Sequence, residues 1–324
     1  MRASDLWTAY TASPAYAVVS CKRKPVIDGV WHRFVDHVLS SRGNVEVQAL
    51  TSTDIAGWLD VRSHGRSPKT YDELLRVIRQ VYKGILSRTG LQANPALEVP
   101  ARRKQCVSRK PYSRDDVAKM VATARNGVLT IPYRYKTRLK DGTQKTVVID
   151  RPYAIPHHDE VALAILLGAY CGMRLGDAVA VNASQYQGGC IRYTPSKTVV
   201  SSGKEVVVPV MHRELKEALE RCHGWLTPHL LEWHGRCPSD VCRLFKRVFQ
   251  SCGFSVDEER AGCRRASTGG FHALRHSFVT WAAERGVPID TVAACVGHSS
   301  TITTKIYNHV SAERKARELA ALMA

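Results

Sequence analysis

The sequence predicts a mainly helical protein with small β-hairpins, an α+β fold. Apolar residues recur at three- and four-residue spacing through most of 26–100 and again from residue 113 onward, which is the helical period. Alternation of apolar and polar residues is confined to short stretches near 129–149 and 191–210, which gives hairpins and no large sheet. A chain of 324 residues with 44% hydrophobic content can fill two cores.

In the first hundred residues, Val30, Phe34, Val38 and Leu39 fall on one helical stripe. Thr53 and Asp54 can cap a helix through Ile55, Trp58 and Leu59. Ser67-Pro68 opens a longer helix whose inner side is Tyr71, Leu74, Leu75, Ile78 and Tyr82 and which should stop near Gly90. Its outer side offers Lys69, Arg76, Arg79 and Lys83, and Asn94-Pro95 ends the helical run. Residues 1–100 therefore read as one helical domain, followed by a basic linker at 101–111 that contains Arg102, Arg103 and Lys104.

Ser113, with Asp116 at the reciprocal position, forms a capping box, so a second domain should begin at Tyr112 and run to residue 324. Ile131, Tyr133, Tyr135, Thr137 and Leu139 then alternate with Arg134, Lys136, Arg138 and Lys140, and Asp141-Gly142 supplies a turn. This predicts an inserted two-stranded hairpin over about 129–150, placed either to grip nucleic acid with its basic face or to pack on a neighbouring subunit. Val161–Met173 should be a buried helix, Ile191–Thr194 and Glu205–Val210 a second hairpin, and Glu214–Arg221, Val241–Gln250, Ala273–Glu284 and Thr291–Cys295 further helices. Ala316, Leu319, Ala320 and Met323 make a narrow apolar stripe on a terminal helix at about 311–323, too short to stay folded without docking.

With 47 Lys and Arg against 29 Asp and Glu, the net charge of +18 favours a polyanionic partner. Residues 101–150 hold 13 basic and 4 acidic side chains, so the excess is concentrated where the linker and first hairpin lie. The longest apolar run, Val161–Met173, is 13 residues and too short to span a bilayer, and no signal-type segment opens the chain, so a cytoplasmic protein is expected. Ten cysteines occur without a CxxC pair. The densest ligand-type group, Cys222, His223, His229, His234, Cys237 and Cys242, fits no zinc spacing, so free thiols and no metal are expected.

The chemistry-bearing residues come in two islands. Gly172-Met173-Arg174-Leu175-Gly176-Asp177 ends the apolar run, and the last sixty residues hold His272-Ala273-Leu274-Arg275, Gly297-His298 and Tyr307. Between them lies Ser196-Lys197-Thr198 on the second hairpin. Guanidinium and imidazole donors suit a group whose charge resides on oxygens in the transition state, and a tyrosine can attack phosphorus. Asp177, one turn after Arg174, can hold the arginine's surroundings by hydrogen bonding.

The order Arg, Lys, His-x-x-Arg, His, Tyr from about Tyr112 to the C-terminus resembles the tyrosine recombinase (phage integrase) family, of the Cre/Xer-like kind. The resemblance implies a helical core-binding domain at 1–100 and a catalytic domain at 112–324. It also implies that Tyr307 forms a 3′-phosphotyrosyl bond while Arg174 and Arg275 clamp the scissile phosphate in place of metal ions. His272 would take or relay the phenolic proton, His298 would bind a phosphate oxygen, and Lys197, with Lys204 as its competitor across the turn, would protonate the departing 5′ oxygen. No cofactor is implied. The implied partners are double-stranded DNA with an inverted-repeat target, contacted in part by Lys69, Arg76, Arg102, Arg103 and Lys104, and three further copies in a homotetramer. The terminal helix would be exchanged between subunits, and bacterial, archaeal or phage origin follows from the same resemblance.

Two other classes remain open at this stage. A type IB topoisomerase uses similar chemistry but rejoins the original strand. A DNA-binding protein that has lost catalysis would keep the charge without the six site residues.

Overall fold

The computed structural model describes residues 1–21, 23–102, 110–138, 143–197, 199, 203–260 and 263–297, and of 260–266 no side chains. The chain divides into two compact units, the first within 1–106 and the second from 107 onward, with 259–266 grouped with the first.

The first unit is helical: α1 (Leu6–Thr11), α2 (Pro14–Ala17), α3 (Lys24–Arg42), α4 (Ser52–Ser63) and α5 (Pro68–Thr89). Its core is aromatic, with Trp31 buried against Phe34 and Tyr82 at centroid distances of 5.4 and 5.8 Å. Val30, Phe34 and Val38 face this core as their spacing predicts, whereas Leu39 is 36% exposed. The cap of α4 is Thr51, whose hydroxyl accepts from the Asp54 amide while the Asp54 carboxylate accepts from the Thr51 amide; the predicted Thr53 lies inside the helix. Ser67 caps α5 with Pro68 at its first position, and Gly90 ends it in the left-handed region. Arg79, expected on the outer side of α5, turns inward. Its guanidinium donates to the carbonyls of Ala96 (3.0 Å) and Val99 (2.6 Å), fixing the segment after the helix.

The second unit opens with α6 (Arg114–Arg125), held by the predicted Ser113–Asp116 capping box. Strands β1 (Val128–Arg138) and β2 (Gln144–Ala154) form the inserted hairpin, several residues longer at its base than the alternation indicates. Next come α7 (His158–Tyr170) and the single turn α8 (Leu175–Ala178). The short strands β3 (Tyr186–Gln187), β4 (Cys190–Tyr193) and β5 (Val206–Pro209) make an antiparallel sheet in the order β3-β4-β5. They are followed by α9 (Arg213–Arg221), α10 (Pro228–Arg236), α11 (Pro238–Ser251), α12 (Phe271–Glu284) and α13 (Ile289–Val296); between α11 and α12 the chain forms the hairpin β6 (Asp257–Arg260) and β7 (Cys263–Ser267), most of which groups with the first unit. Among the described residues no helix is long and apolar enough to cross a membrane.

Helix α7 is the axis of this unit. Val161, Ala162, Ala164, Ile165 and Leu167 are wholly buried, and α6 and α12 pack on it. Small residues at 162, 164, 168 and 169 let these neighbours approach closely, which places the end of α7 beside α12. The entry to the unit is tied to the same helix pair: the Tyr112 amide donates to Ser277 Oγ (2.7 Å) and Trp281 Nε1 donates to the Tyr112 carbonyl (3.1 Å).

Candidate active site

The apolar helix α7 ends at Tyr170, and Gly172 turns the chain with φ of +63°. A side chain at 172 would meet Phe278 at 2.7 Å and Val296 at 2.8 Å, so glycine is required both by the dihedral and by the space. The turn delivers Arg174 as the N-cap residue of α8, its side chain 22% exposed.

Arg275, on α12, is 2% exposed. Its Nη1 donates to the Gly172 carbonyl (2.9 Å) and its Nη2 to the Val296 carbonyl. One guanidinium fork thus joins the turn that presents Arg174 to the C-terminal end of α13, two residues before His298. Gly297 continues from there in the left-handed region (φ +61°), and a side chain on it would meet Val206 on β5 at 2.8 Å. His272 lies one helical turn before Arg275, half-buried, with its ring edge-on to His276 at 5.3 Å.

Asp177 does more than the sequence suggests. Its side chain is 2% exposed, and Oδ2 lies 3.8 Å from Arg174 Nη1, an ion-pair distance but not a hydrogen bond. Its Oδ1 accepts from both the Ser196 amide (2.9 Å) and the Ser196 hydroxyl (2.8 Å). The carboxylate therefore ties the Arg174 turn to the loop that carries Lys197, which is exposed and reaches from that anchored position. Lys204, also exposed, precedes β5 beside Glu205, which pairs with Arg192 at 3.8 Å.

Tyr193, at the end of β4, was not indicated by any motif. Its hydroxyl is buried without a hydrogen-bond partner among the described residues. Burial, reinforced by the Asp177 carboxylate, pushes the phenol well above its usual range, while Arg275 and Arg174 oppose that shift. A phenol held neutral and out of solvent is a poor nucleophile, so Tyr193 is a wall of the site. Burial likewise pushes the Cys171 thiol up to about 12, which removes it as a competing nucleophile. The only sequence signal for Tyr193 was its inward place in the Ile191-Arg192-Tyr193 alternation.

Seven of the eleven site residues expected from sequence lie among the described residues, Lys197 included, whereas residues 198 and 200–202 of the loop that follows it do not. Arg174, Lys197, His272 and Arg275 are brought to one region by the links above; His298 and Tyr307, with the terminal helix at 311–323, lie outside the described residues. Of the expected DNA contacts, Lys69 is exposed on the first turn of α5, and Arg76 is exposed but pairs with Glu73 at 2.7 Å. Arg102 pairs with Asp60 at 2.6 Å and lies over the Tyr71 ring at 4.1 Å, so its guanidinium already closes the first unit. Arg103 and Lys104 lie outside the described residues. His229, one of the ligand-type residues near Cys222, turns to Glu160 (2.5 Å) and stacks on His157 at 4.2 Å. Glu160 also accepts from the amides of His229 and Leu230, and so caps α10.

The arginine, lysine and histidine-arginine segments are tied together through Asp177 and Arg275, and the comparisons with known proteins decide the family. Residues 149–314 match the model of the phage integrase family. The chain belongs to the phage integrase family. As a member, it is a tyrosine-type site-specific recombinase, an enzyme that cleaves and rejoins DNA. Tyrosine recombinase XerC of Brucella melitensis is 23% identical over 275 residues, covering 83% of this chain and 76% of that protein. The fold of this recombinase is shared with lambda integrase. A dimer bound to a COC' core site has a TM-score of 0.63 at 14% identity over 96% of this chain and 97% of that one. A lambda integrase tetramer bound to a Holliday junction has a TM-score of 0.61 at 15% identity over 95% and 77% of the two chains.

Proposed function

We propose that Tyr307 is the nucleophile of a strand exchange in which Arg174, Lys197, His272, Arg275 and His298 are the supporting residues. The phenolic oxygen attacks the scissile phosphorus as its proton passes to His272. The bond from phosphorus to the 5′ oxygen breaks, and Lys197 supplies the proton that the departing oxygen needs. A 5′ hydroxyl from the partner duplex then attacks the phosphotyrosyl bond and releases Tyr307, so bond energy is conserved. Arg174 and His298 hold the non-bridging oxygens, and Arg275, whose two Nη groups already hold backbone carbonyls, adds its charge and fixes the frame.

The observation that carries this reading is the double tether. Asp177 joins the Arg174 turn to the Lys197 loop through Ser196, and Arg275 joins the same turn to the end of α13. Such pre-set positions are what phosphoryl transfer requires of a protein. The enzyme works as a homotetramer on two inverted-repeat DNA sites, a reading supported by the lambda integrase tetramer on a Holliday junction. Residues 1–100 form its core-binding domain, 101–111 its basic linker, and it acts in the cytoplasm, in keeping with its bacterial relatives.

The test is Tyr307→Phe with a nicked suicide duplex carrying the recombination site. The native enzyme should leave a protein–DNA adduct stable to denaturation, and the variant none. An adduct persisting in the variant would overturn the assignment. Adduct formation by the native enzyme also excludes a protein that has merely lost catalysis, and transfer to a second duplex separates it from a topoisomerase.

A further inference from the structure

The hairpin β1–β2 plays no part in the chemistry described so far, yet its two faces differ sharply. The register sets Leu129 opposite Tyr153, Ile131 opposite Arg151, Tyr133 opposite Ile149 and Tyr135 opposite Val147. Directly opposed residues of an antiparallel pair share a face, so these four pairs line one side. The other side carries Arg134 opposite Val148, Lys136 opposite Thr146 and Arg138 opposite Gln144.

The first face explains itself. At the base, Leu129 is buried, Ile131 and Tyr153 pack on the core, and the Arg247 guanidinium lies 4.8 Å over the Tyr153 ring. Farther out the stripe continues as Tyr133, Ile149, Tyr135 and Val147. The two tyrosine rings stand 6.2 Å apart at 29°, and Arg151 lies over Tyr133 at 4.4 Å. Cross-strand pairs of aromatic and β-branched residues are the units that stabilise a sheet, so the ribbon stiffens itself. A stiff ribbon holds the cations of the second face at a fixed step of about 7 Å, two residues of a strand.

Arg134 and Lys136 are exposed and form no ion pair among the described residues. The two strands together carry Arg134, Lys136, Arg138, Lys145 and Arg151 against one acid, Asp150, which stands opposite Pro132 nearer the base. A two-stranded ribbon is also narrow enough for the major groove, which is about 12 Å wide. We propose that the Arg134–Lys136–Arg138 face of this hairpin binds the phosphate backbone of duplex DNA outside the cleavage position, extending the enzyme's hold on its substrate. The inference rests on the recombinase reading only for the identity of the polyanion, and charge complementarity selects DNA over a second copy of this strongly basic chain.

The experiment uses the full-length protein and labelled random-sequence duplexes, with affinity measured over a range of salt. Arg134→Ala with Lys136→Ala should lower the slope of log affinity against log salt by about 1.8, or 0.9 per lost phosphate contact. Over a fourfold rise in salt the double variant should then weaken about twelvefold less than the native protein. Tyr133→Ser with Tyr135→Ser, on the opposite face, should loosen the ribbon and leave a smaller change in slope. Covalent capture on the suicide duplex at saturating enzyme should be unchanged in the Arg134, Lys136 variant. An unchanged slope overturns the proposal. So does a defect limited to tetramer assembly with duplex binding intact, which would assign the hairpin to a subunit contact. If the native protein forms no covalent adduct yet the slope falls as stated, the recombinase reading fails and the DNA-binding face stands.

Discussion

Replacing Asp177 by alanine should disable leaving-group protonation more than phosphate binding. The carboxylate receives two hydrogen bonds from Ser196, at 2.8 and 2.9 Å, and is 2% exposed. Hydrogen bonds to a charged group contribute about 1.5–3 kcal/mol each, and the freed Ser196 groups recover part of that from water. A net loss near 3 kcal/mol would reduce the population holding Lys197 in place by about two orders of magnitude. Asp177→Asn keeps an acceptor for Ser196 while removing the charge that faces Arg174, so it should fall between alanine and the native protein. The assay is single-turnover cleavage of a suicide duplex, run with an ordinary phosphate and with sulfur in place of the bridging 5′ oxygen. A thiolate leaves without help from an acid, so most of the Asp177→Ala deficit should vanish with the sulfur substrate. If Lys197→Ala is rescued by sulfur and Asp177→Ala is not, the carboxylate does not act through the Lys197 loop and the reasoning is refuted.

Three further outcomes are expected. Lys197→Ala should be rescued by the sulfur substrate and Lys204→Ala should cleave both substrates nearly normally; rescue of Lys204→Ala alone would exchange their roles. Gly172→Ala forces a side chain to within 2.8 Å of Phe278 and Val296 at a φ of +63°, and should lower unfolding stability by about 2–4 kcal/mol, read as a fall in the denaturant midpoint. Burial holds the His212 and His234 imidazoles below their ordinary value, with Arg125 adding to the effect at His212. The unfolded chain therefore takes up protons more readily below about pH 6.5, so the stability these groups allow is complete above that pH and is lost as pH falls toward their folded values. His212→Gln with His234→Gln should narrow the difference in Tm between about pH 7 and about pH 5, and an unaltered acid sensitivity would contradict this.

Much of the fold was legible because local signals were strong. The Ser113–Asp116 box, the Ser67-Pro68 start and the Gly90 stop are readable from neighbours within a few residues, and the structure has them all. The elements that went unread lacked such signals. β6 opens with Asp257-Glu258-Glu259, which shows no apolar alternation, and α10 begins Pro228-His229 with its cap supplied by Glu160, far away in sequence. The four proposed catalytic residues that can be placed were picked out by order and local setting. What sequence could not reveal is how long polar side chains are engaged. Arg79 and Arg102 look like free surface cations, yet one serves two carbonyls and the other closes on Asp60 and Tyr71. Asp177 looked like a neighbour of Arg174 and proves to be the anchor of Ser196 as well. These are contacts between residues separated by 17 to 42 positions, and no periodicity encodes them.

The fork of Arg275 bears on the safety of carrying such an enzyme. A protein that breaks DNA would be hazardous if a half-made or clipped copy could do so. Arg275 reaches back 103 positions to the Gly172 carbonyl and forward 21 to that of Val296, so the frame that presents Arg174, on which the proposed phosphate clamp depends, forms only once these distant segments have closed on one another. A ribosome-bound chain that has emerged only through Lys197 holds a lone arginine and a loose lysine, and a C-terminal fragment starting at α12 lacks both. Closure of the frame around Arg174 thus depends on segments from both sides of Lys197, and neither of these two fragments holds the full set of residues proposed for cleavage.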